Sequence, residues 1–307
     1  MRHLVALSAL ALVVVGAASA ARLPRAPQCP VFPTTNAWNQ RVDSLPVAAG
    51  SSSIVSSIGA GGRLHPDFGS GLWDGSPIGI PLTVVGKATP RSAVSFDYAD
   101  ESDKGPYPIP TGVKIEGGSD RHAILVDRDA CKLYELYALT RTSKGWHAGS
   151  GAIWSLTSQK LRPAGWTSAD AAGLPILPGL ARYDEVAAGR IDHALRFTVS
   201  RTRRAYVWPA RHFASSLIDP SLPPMGLRLR LTASFDISTF PPQARVVLQA
   251  LKTYGMMVAD NGSNWFISGA PDPGWDNSDL STLGQVKGSS FEVVDTSSLA
   301  PQKPKRK

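Results

Sequence analysis

Five histidines follow the N-terminal apolar run of this chain, His65, His122, His147, His193 and His212. An imidazole fixed beside a carboxylate is a common general base, because the acid sets its tautomer and raises its basicity. In "GRIDHALRFT", residues 189–198, strand alternation sends Ile191, His193, Leu195 and Phe197 to one face and Asp192, Ala194, Arg196 and Thr198 to the other. In "DRHAILVDRDACKLYELYAL", a tight turn at Arg128 and Asp129 sets His122 directly across from Glu135. Two inward imidazoles with acids beside them predict a shared cleft with His193 and His122 as catalytic groups and Glu135 and Asp192 as supporting acids. Arg196, Arg211, Trp208 and His212 fall near one end of the same sheet and are the expected substrate-binding residues. The competing expectation is that these histidines are structural, each bonded to a carbonyl or a buried acid.

Two reactions suit such a cleft. Arginines, Arg121, Arg196 and Arg211 among them, suit an anionic sugar, and proton abstraction beside its carboxylate is a polysaccharide lyase step. Alternatively, two carboxyl groups drawn from Asp67, Asp97, Asp120, Glu135 and Asp192 flank a glycosidic bond and hydrolyse it. Eight tryptophans and seven tyrosines can supply platforms for sugar rings. A secreted carbohydrate-active enzyme is therefore the leading expectation, and a non-catalytic glycan-binding or cell-envelope protein is the alternative. Other chemistries lack a signature. "HAGSG" is not a G-x-S-x-G elbow, and no H-E-x-x-H, C-x-x-C, phosphate-loop or dinucleotide pattern occurs. No metal site is assigned, although His65, His122 and His193 together would be a conceivable ligand set. The acid-rich loop holding Asp97, Asp100, Glu101 and Asp103 is read as a solvated turn, with calcium the minor alternative.

The elements that must position these residues are short. Glycine and proline number 28 and 25, a density that points to many strands and ordered loops. "PPQARVVLQALKTYG" predicts a helix opened by proline and closed by Gly255, with Ala244, Val247, Leu248, Leu251 and Tyr254 on its dry side. A helix is also expected around Ile54 and Ile58, another in "ARYDEVAAG" ending at Gly189, and a short turn of helix capped by Thr167 or Ser168 before Gly173. In "GMMVADNGSNWFISG", Asn261-Gly262 predicts a two-residue hairpin with Val258 facing Trp265. The strand at His193 is expected to return along "AYVWPARH".

"MRH", the apolar run Leu4–Val15 and the small residues Ala18 and Ala20 read as a signal peptide, too short to span a bilayer comfortably. The only cysteines, Cys29 and Cys131, are expected to pair in an oxidising compartment, closing a loop worth about 4 to 5 kcal/mol of chain entropy. The formal charge of +8 falls to about +3 once Arg2 and the four cations of the last five residues are set aside. With no nucleic-acid motif beside it, that charge gives no reason to expect nucleic-acid binding. The stretches "LHPDFGSGLWDGSPIGIP", "EGGSDRHAILVDRDACKLYEL", "LRPAGWTSADAAGLPILPGLARYDEVAAGRIDHALRF" and "LKTYGMMVADNGSNWFISG" resemble a family of exported bacterial proteins over nearly the whole mature chain. The resemblance implies a bacterial, extracytoplasmic setting and assigns no catalytic residue. The expected organisation is a signal peptide over 1–20, an extended segment over 21–50, one β-rich domain over 51–296 and a disordered basic tail over 297–307. Its fold class is mainly β, a sandwich or jelly-roll with a few short helices, and its partner an extracellular polysaccharide or cell-envelope glycan, without stable membrane insertion.

Overall fold

The computed structural model describes residues 20–301, so most of the expected signal peptide and the last six residues of the basic tail lie outside the described range. In chain order the strands are β1 (Arg22–Leu23), β2 (Ala26–Pro30), β3 (His65–Asp67), β4 (Leu72–Trp73), β5 (Ser76–Pro77), β6 (Leu82–Val85), β7 (Val94–Phe96), β8 (Ala123–Asp127), β9 (Lys132–Tyr137), β10 (Thr140–Thr142), β11 (Gly145–Ala148), β12 (Ser150–Ser155), β13 (Leu195–Val199), β14 (Arg228–Leu231), β15 (Met256–Asn261), β16 (Phe266–Ser268) and β17 (Phe291–Val293). The helices are α1 (Ser51–Ile58), α2 (Tyr183–Ala187), α3 (Pro242–Thr253) and α4 (Asn277–Ser281). The larger sheet runs β17-β14-β15-β13-β16-β3 and the second β12-β9-β8-β6, with a three-stranded ribbon β10-β11-β7 beside them. The chain is thus mainly β, layered in several sheets with few short helices, as its turn-rich composition implies.

Alternation within β8 and β9 explains why the second sheet sits between layers. Ile124, Val126 and Leu133 pack with Trp154 on one face, while Ala123, Leu125, Tyr134 and Leu136 fill the other. The pairing differs from the expected register by two residues. Glu135 lies opposite Ile124 and Asp127 opposite Lys132, because the connection is four residues long rather than two. The Asp127 carboxylate accepts from the backbone N–H groups of Asp129 and Ala130, which stabilises the wider turn. His122 keeps its face but moves from Glu135 to the neighbourhood of Tyr137, whose ring centre is 5.8 Å away.

The Asn261-Gly262 hairpin does not form. β13 lies between β15 and β16, parallel to the first with Leu195 opposite Met256, and antiparallel to the second with Phe197 opposite Ile267. A distant strand has taken both edges that a local hairpin would have joined to each other. The strand itself begins at Leu195, so His193 precedes it, and residues 205–212 form no return strand beyond a single bridge from Tyr206 to Met225. Residues 167–173 make side-chain-braced turns in place of the expected helix, with the Ser168 hydroxyl donating to the carbonyls of Asp170 and Leu174.

α1, α2 and α3 form where apolar spacing predicts them. α3 buries Ala244, Val247, Leu248 and Leu251 and packs against β14. Its opening N–H groups at Gln243 and Ala244 are met at 2.8 Å by the carboxylate of Asp279 from α4, a cap supplied from another element. At its end Gly255 takes φ +69°, and a side chain there would collide with the Leu229 carbonyl.

The segment expected to be merely extended, 21–50, is clamped to the core. Arg228 donates to the carbonyls of Ala37 and Gln40, and Arg230 to that of Leu45. The disulfide Cys29–Cys131 joins the same segment to the β8–β9 turn across 102 positions. Among the described residues no helix is long and apolar enough to cross a membrane.

Candidate functional site

β3 is an edge strand held parallel to β16, and alternation turns His65 and Asp67 to one side. That side is a wall of a cleft of about 900 Å³, closed elsewhere by the turn 116–120, the β4–β5 hairpin and the region of α4. Phe266, paired with His65 across the sheet, stacks against its ring at 4.0 Å. The hairpin reverses tightly because Gly71, Asp74 and Gly75 all take left-handed backbone angles. The reversal leaves Leu72 66 % and Trp73 79 % exposed, with Trp73 at the edge of the cleft.

Four carboxylates, Asp67, Asp74, Glu116 and Asp120, face this space, and among the described residues lining it there is no lysine or arginine. A basic chain has therefore gathered negative charge at this concavity. Asp67 is exposed on the cleft wall, yet partial desolvation by the surrounding walls pushes its carboxyl above the ordinary range, with smaller upward contributions from Glu116 and Asp120 and downward ones from His65 and Arg196. Glu116 accepts a 2.5 Å hydrogen bond from Nδ1 of His122, and Nε2 of the same ring donates to the Ala169 carbonyl at 3.1 Å. Both ring nitrogens thus face acceptors, the arrangement of an imidazolium. Burial alone would lower its pKa, but the bond to and charge of Glu116 outweigh that and raise it to about 9. His122 is 2 % exposed, whereas Glu116 keeps its carboxylate at the cleft. The result is a buried imidazolium that holds Glu116 in place in the cleft that Asp67, with its raised pKa, also lines.

The residues expected to react lie elsewhere. His193 is 1 % exposed, with Nδ1 on the Ala194 carbonyl and Nε2 3.1 Å from Glu185, whose other oxygen meets Arg182 at 2.9 Å. Glu135 is fully enclosed and accepts from the backbone N–H groups of Ile176 and Leu177, which ties β9 to the following layer. Burial raises its pKa to about 7, against the pull of those two donors. Asp192 pairs with Arg190 near the surface. Arg196 is buried against Asp170, with three contacts of 2.9, 2.8 and 2.6 Å, and donates to the Ser268 hydroxyl at 2.6 Å. Arg211 donates to the Arg162 carbonyl, His212 is bonded to that of Ala171, and Trp208 lines a separate small cavity. None of these residues lines the large cleft, and each imidazole of the expected pair is closed within its own set of partners. His122 alone reaches the cleft, through Glu116.

Of the carboxyl groups weighed for glycosidic cleavage, Asp67 and Asp120 do face one space. Glu116 was not singled out, since it sits in a glycine-flanked turn with no periodicity; its only signal was "EGGSD", two acids bracketing glycines just before a buried strand. The acid-rich loop is engaged within the protein: Asp103 binds Arg162, Glu101 accepts from the Thr167 N–H, and Asp97 meets His147. Among the described residues no group of three His, Cys, Asp or Glu side chains is placed to hold a metal ion. Comparison with family models, with curated proteins and with solved structures finds no match.

Proposed function

We propose that this chain is an exported glycoside hydrolase acting on a neutral extracellular polysaccharide, with its reaction in the cleft between β3 and the turn 116–120. The observation that carries the reading is the pairing of two unlike carboxyl groups in one open concavity, Asp67 with a raised pKa and Glu116 fixed on a buried imidazolium. Two acids in unlike surroundings within one cleft can take unlike roles. Asp67 donates a proton to the leaving glycosidic oxygen, and Glu116, held in place by His122, activates water or attacks the anomeric carbon. Trp73 offers the exposed face on which a sugar ring rests. Four acids without a lining lysine or arginine disfavour a polyuronate, and the arginines the lyase reading requires bond elsewhere, Arg121 to the Leu139 carbonyl, Arg196 to Asp170 and Ser268, and Arg211 to the Arg162 carbonyl.

Export accounts for the N-terminal apolar run and for a disulfide that a reducing compartment would not maintain. The test is incubation of the purified protein with neutral and uronic polysaccharides, following reducing ends and the absorbance of unsaturated sugars. Reducing ends from a neutral polymer, without that absorbance, support hydrolysis. Retention of a polymer without cleavage supports glycan binding alone, the reading that the enclosure of His193 favours.

A further inference from the structure

On a surface that shares no residue with the acidic cleft, the loop 213–221 presents Phe213, Leu217 and Ile218 to solvent, Ile218 at 78 % exposure. One exposed aliphatic side chain is ordinary, but neighbouring ones held outward on a braced loop mark a contact surface. The bracing is local. The Leu217 carbonyl accepts from the Arg204 N–H at 2.6 Å, the Pro220 carbonyl from the Arg203 guanidinium at 3.4 Å, and the Ser221 carbonyl from the Ser57 hydroxyl of α1 at 2.8 Å. Phe213 stacks with Tyr206 and His212. Leu222, just past the loop, is buried, so the chain has a core within reach here and still leaves Ile218 outside it.

Those same bonds draw the arginines of residues 200–204 along the loop. Arg201 and Arg204 are exposed, and among the described residues none of Arg201, Arg203 and Arg204 forms an ion pair. The one acid of the loop, Asp219, is held by the N–H and hydroxyl of Ser221 with Arg201 acting on it from further away, and Glu101 lies beyond His212, 3.9 Å from its ring. Around Ile218, then, three cations stand against a single carboxylate.

We infer that this face is a peripheral membrane-binding surface, on which Leu217 and Ile218 enter the headgroup boundary of an anionic phospholipid bilayer while Arg201, Arg203 and Arg204 meet its phosphates. Guanidinium groups match phosphate oxygens through their planar fork. The aliphatic tip is what selects a bilayer over a soluble polyanion: a polymer of phosphates would be met by the arginines alone and would gain nothing from Ile218, whereas a bilayer sets an apolar layer directly beneath its charges. The inference does not rest on the hydrolase reading.

The experiment is co-sedimentation of the whole mature chain with vesicles of phosphatidylcholine alone and of phosphatidylcholine mixed with phosphatidylglycerol. Binding to the mixed vesicles, with little to phosphatidylcholine alone, is expected. Arg201→Gln with Arg204→Gln should weaken it by about tenfold or more, since a cation near an anionic surface contributes about fivefold. Leu217→Ser with Ile218→Ser leaves the charge unchanged and should weaken it by roughly tenfold through lost apolar contact. A chain ending at Pro301 separates this face from residues 302–307, whose four cations also attract an anionic surface. Binding retained in that shortened chain and weakened by both double substitutions supports the inference. Equal binding to both kinds of vesicle, no binding to either, or loss of binding with the last six residues would overturn it. Binding unmoved by Leu217→Ser with Ile218→Ser would overturn it too, leaving a soluble polyanion as the partner. Should a double variant fail to fold, Ile218→Ser and Arg204→Gln, each at an exposed position, decide the outcome singly.

Discussion

At the scale of single residues, the proposed reading gives the chemistry to acids and leaves the histidines as supports. His193 illustrates why the sequence misleads: an imidazole on an apolar face reads the same whether it opens on solvent or meets a buried partner. Glu185, eight positions earlier on α2, supplies that partner, and only folding brings it there. Asp67 and Asp120 are legible as candidates only among several carboxylates, because nothing local tells which of them share a cleft. Substituting Asp67→Asn removes the proposed proton donor and is expected to lower kcat by about 10² to 10⁴, measured as reducing ends released. His122 gives a prediction about stability. Its folded pKa, about 9, stands above the unfolded value of 6.5, so its contribution is fully present below pH 6.5 and is lost as pH rises through 9. Glu135, raised to about 7 from 4.5, acts in the same direction at lower pH, while Glu185, whose pKa is lowered by Arg182 and His193 against burial, acts oppositely in acid. The Tm of the mature chain is therefore expected to fall between pH 6.5 and 9. In His122→Gln that segment of the profile should flatten, and an unchanged slope would show that His122 does not carry it.

At the scale of elements, α3 was readable because its proline, its apolar spacing and its terminal glycine agree with one another. Its cap was not readable, since Asp279 arrives from α4 and has no fixed spacing to residue 243. Asp279→Ala should lower stability by about 1 kcal/mol or somewhat more, seen as a shift in the denaturant midpoint at constant slope. The β8–β9 hairpin kept its faces but not its register, because an aspartate-braced four-residue turn displaces pairing by two positions and so preserves alternation. Asn261-Gly262 carried the strongest local hairpin signal in the chain, and β13 overrode it by pairing on both sides. In the proposed reading the exposed tip of β4–β5 supplies the sugar platform. Trp73→Ala is expected to raise KM several-fold with little change in kcat, since a platform binds ground state and transition state alike.

At the scale of the whole molecule, the fold class and the disulfide were legible and the cleft was not. Turn density and strand alternation are properties of composition and near neighbours, and they led to a strand-rich layered fold. The cleft joins β3 with a turn some fifty positions later and with α4 near the end of the chain, and contacts of that range leave no periodic trace. The disulfide spans 102 positions and joins the clamped N-terminal segment to the β8–β9 turn. Reduction, or Cys29→Ser with Cys131→Ser, should cost about 2 to 4 kcal/mol in unfolding experiments, with the cleft chemistry intact at temperatures where the protein stays folded. The central claim is tested most directly by turnover of the responsive neutral polysaccharide across pH, comparing the unaltered chain with Asp67→Asn and Glu116→Gln at matched folded fractions. Loss of nearly all turnover in both variants, with a rate in the unaltered chain that falls on the alkaline side as Asp67 loses its proton, is the result predicted. Full turnover in either variant would contradict it.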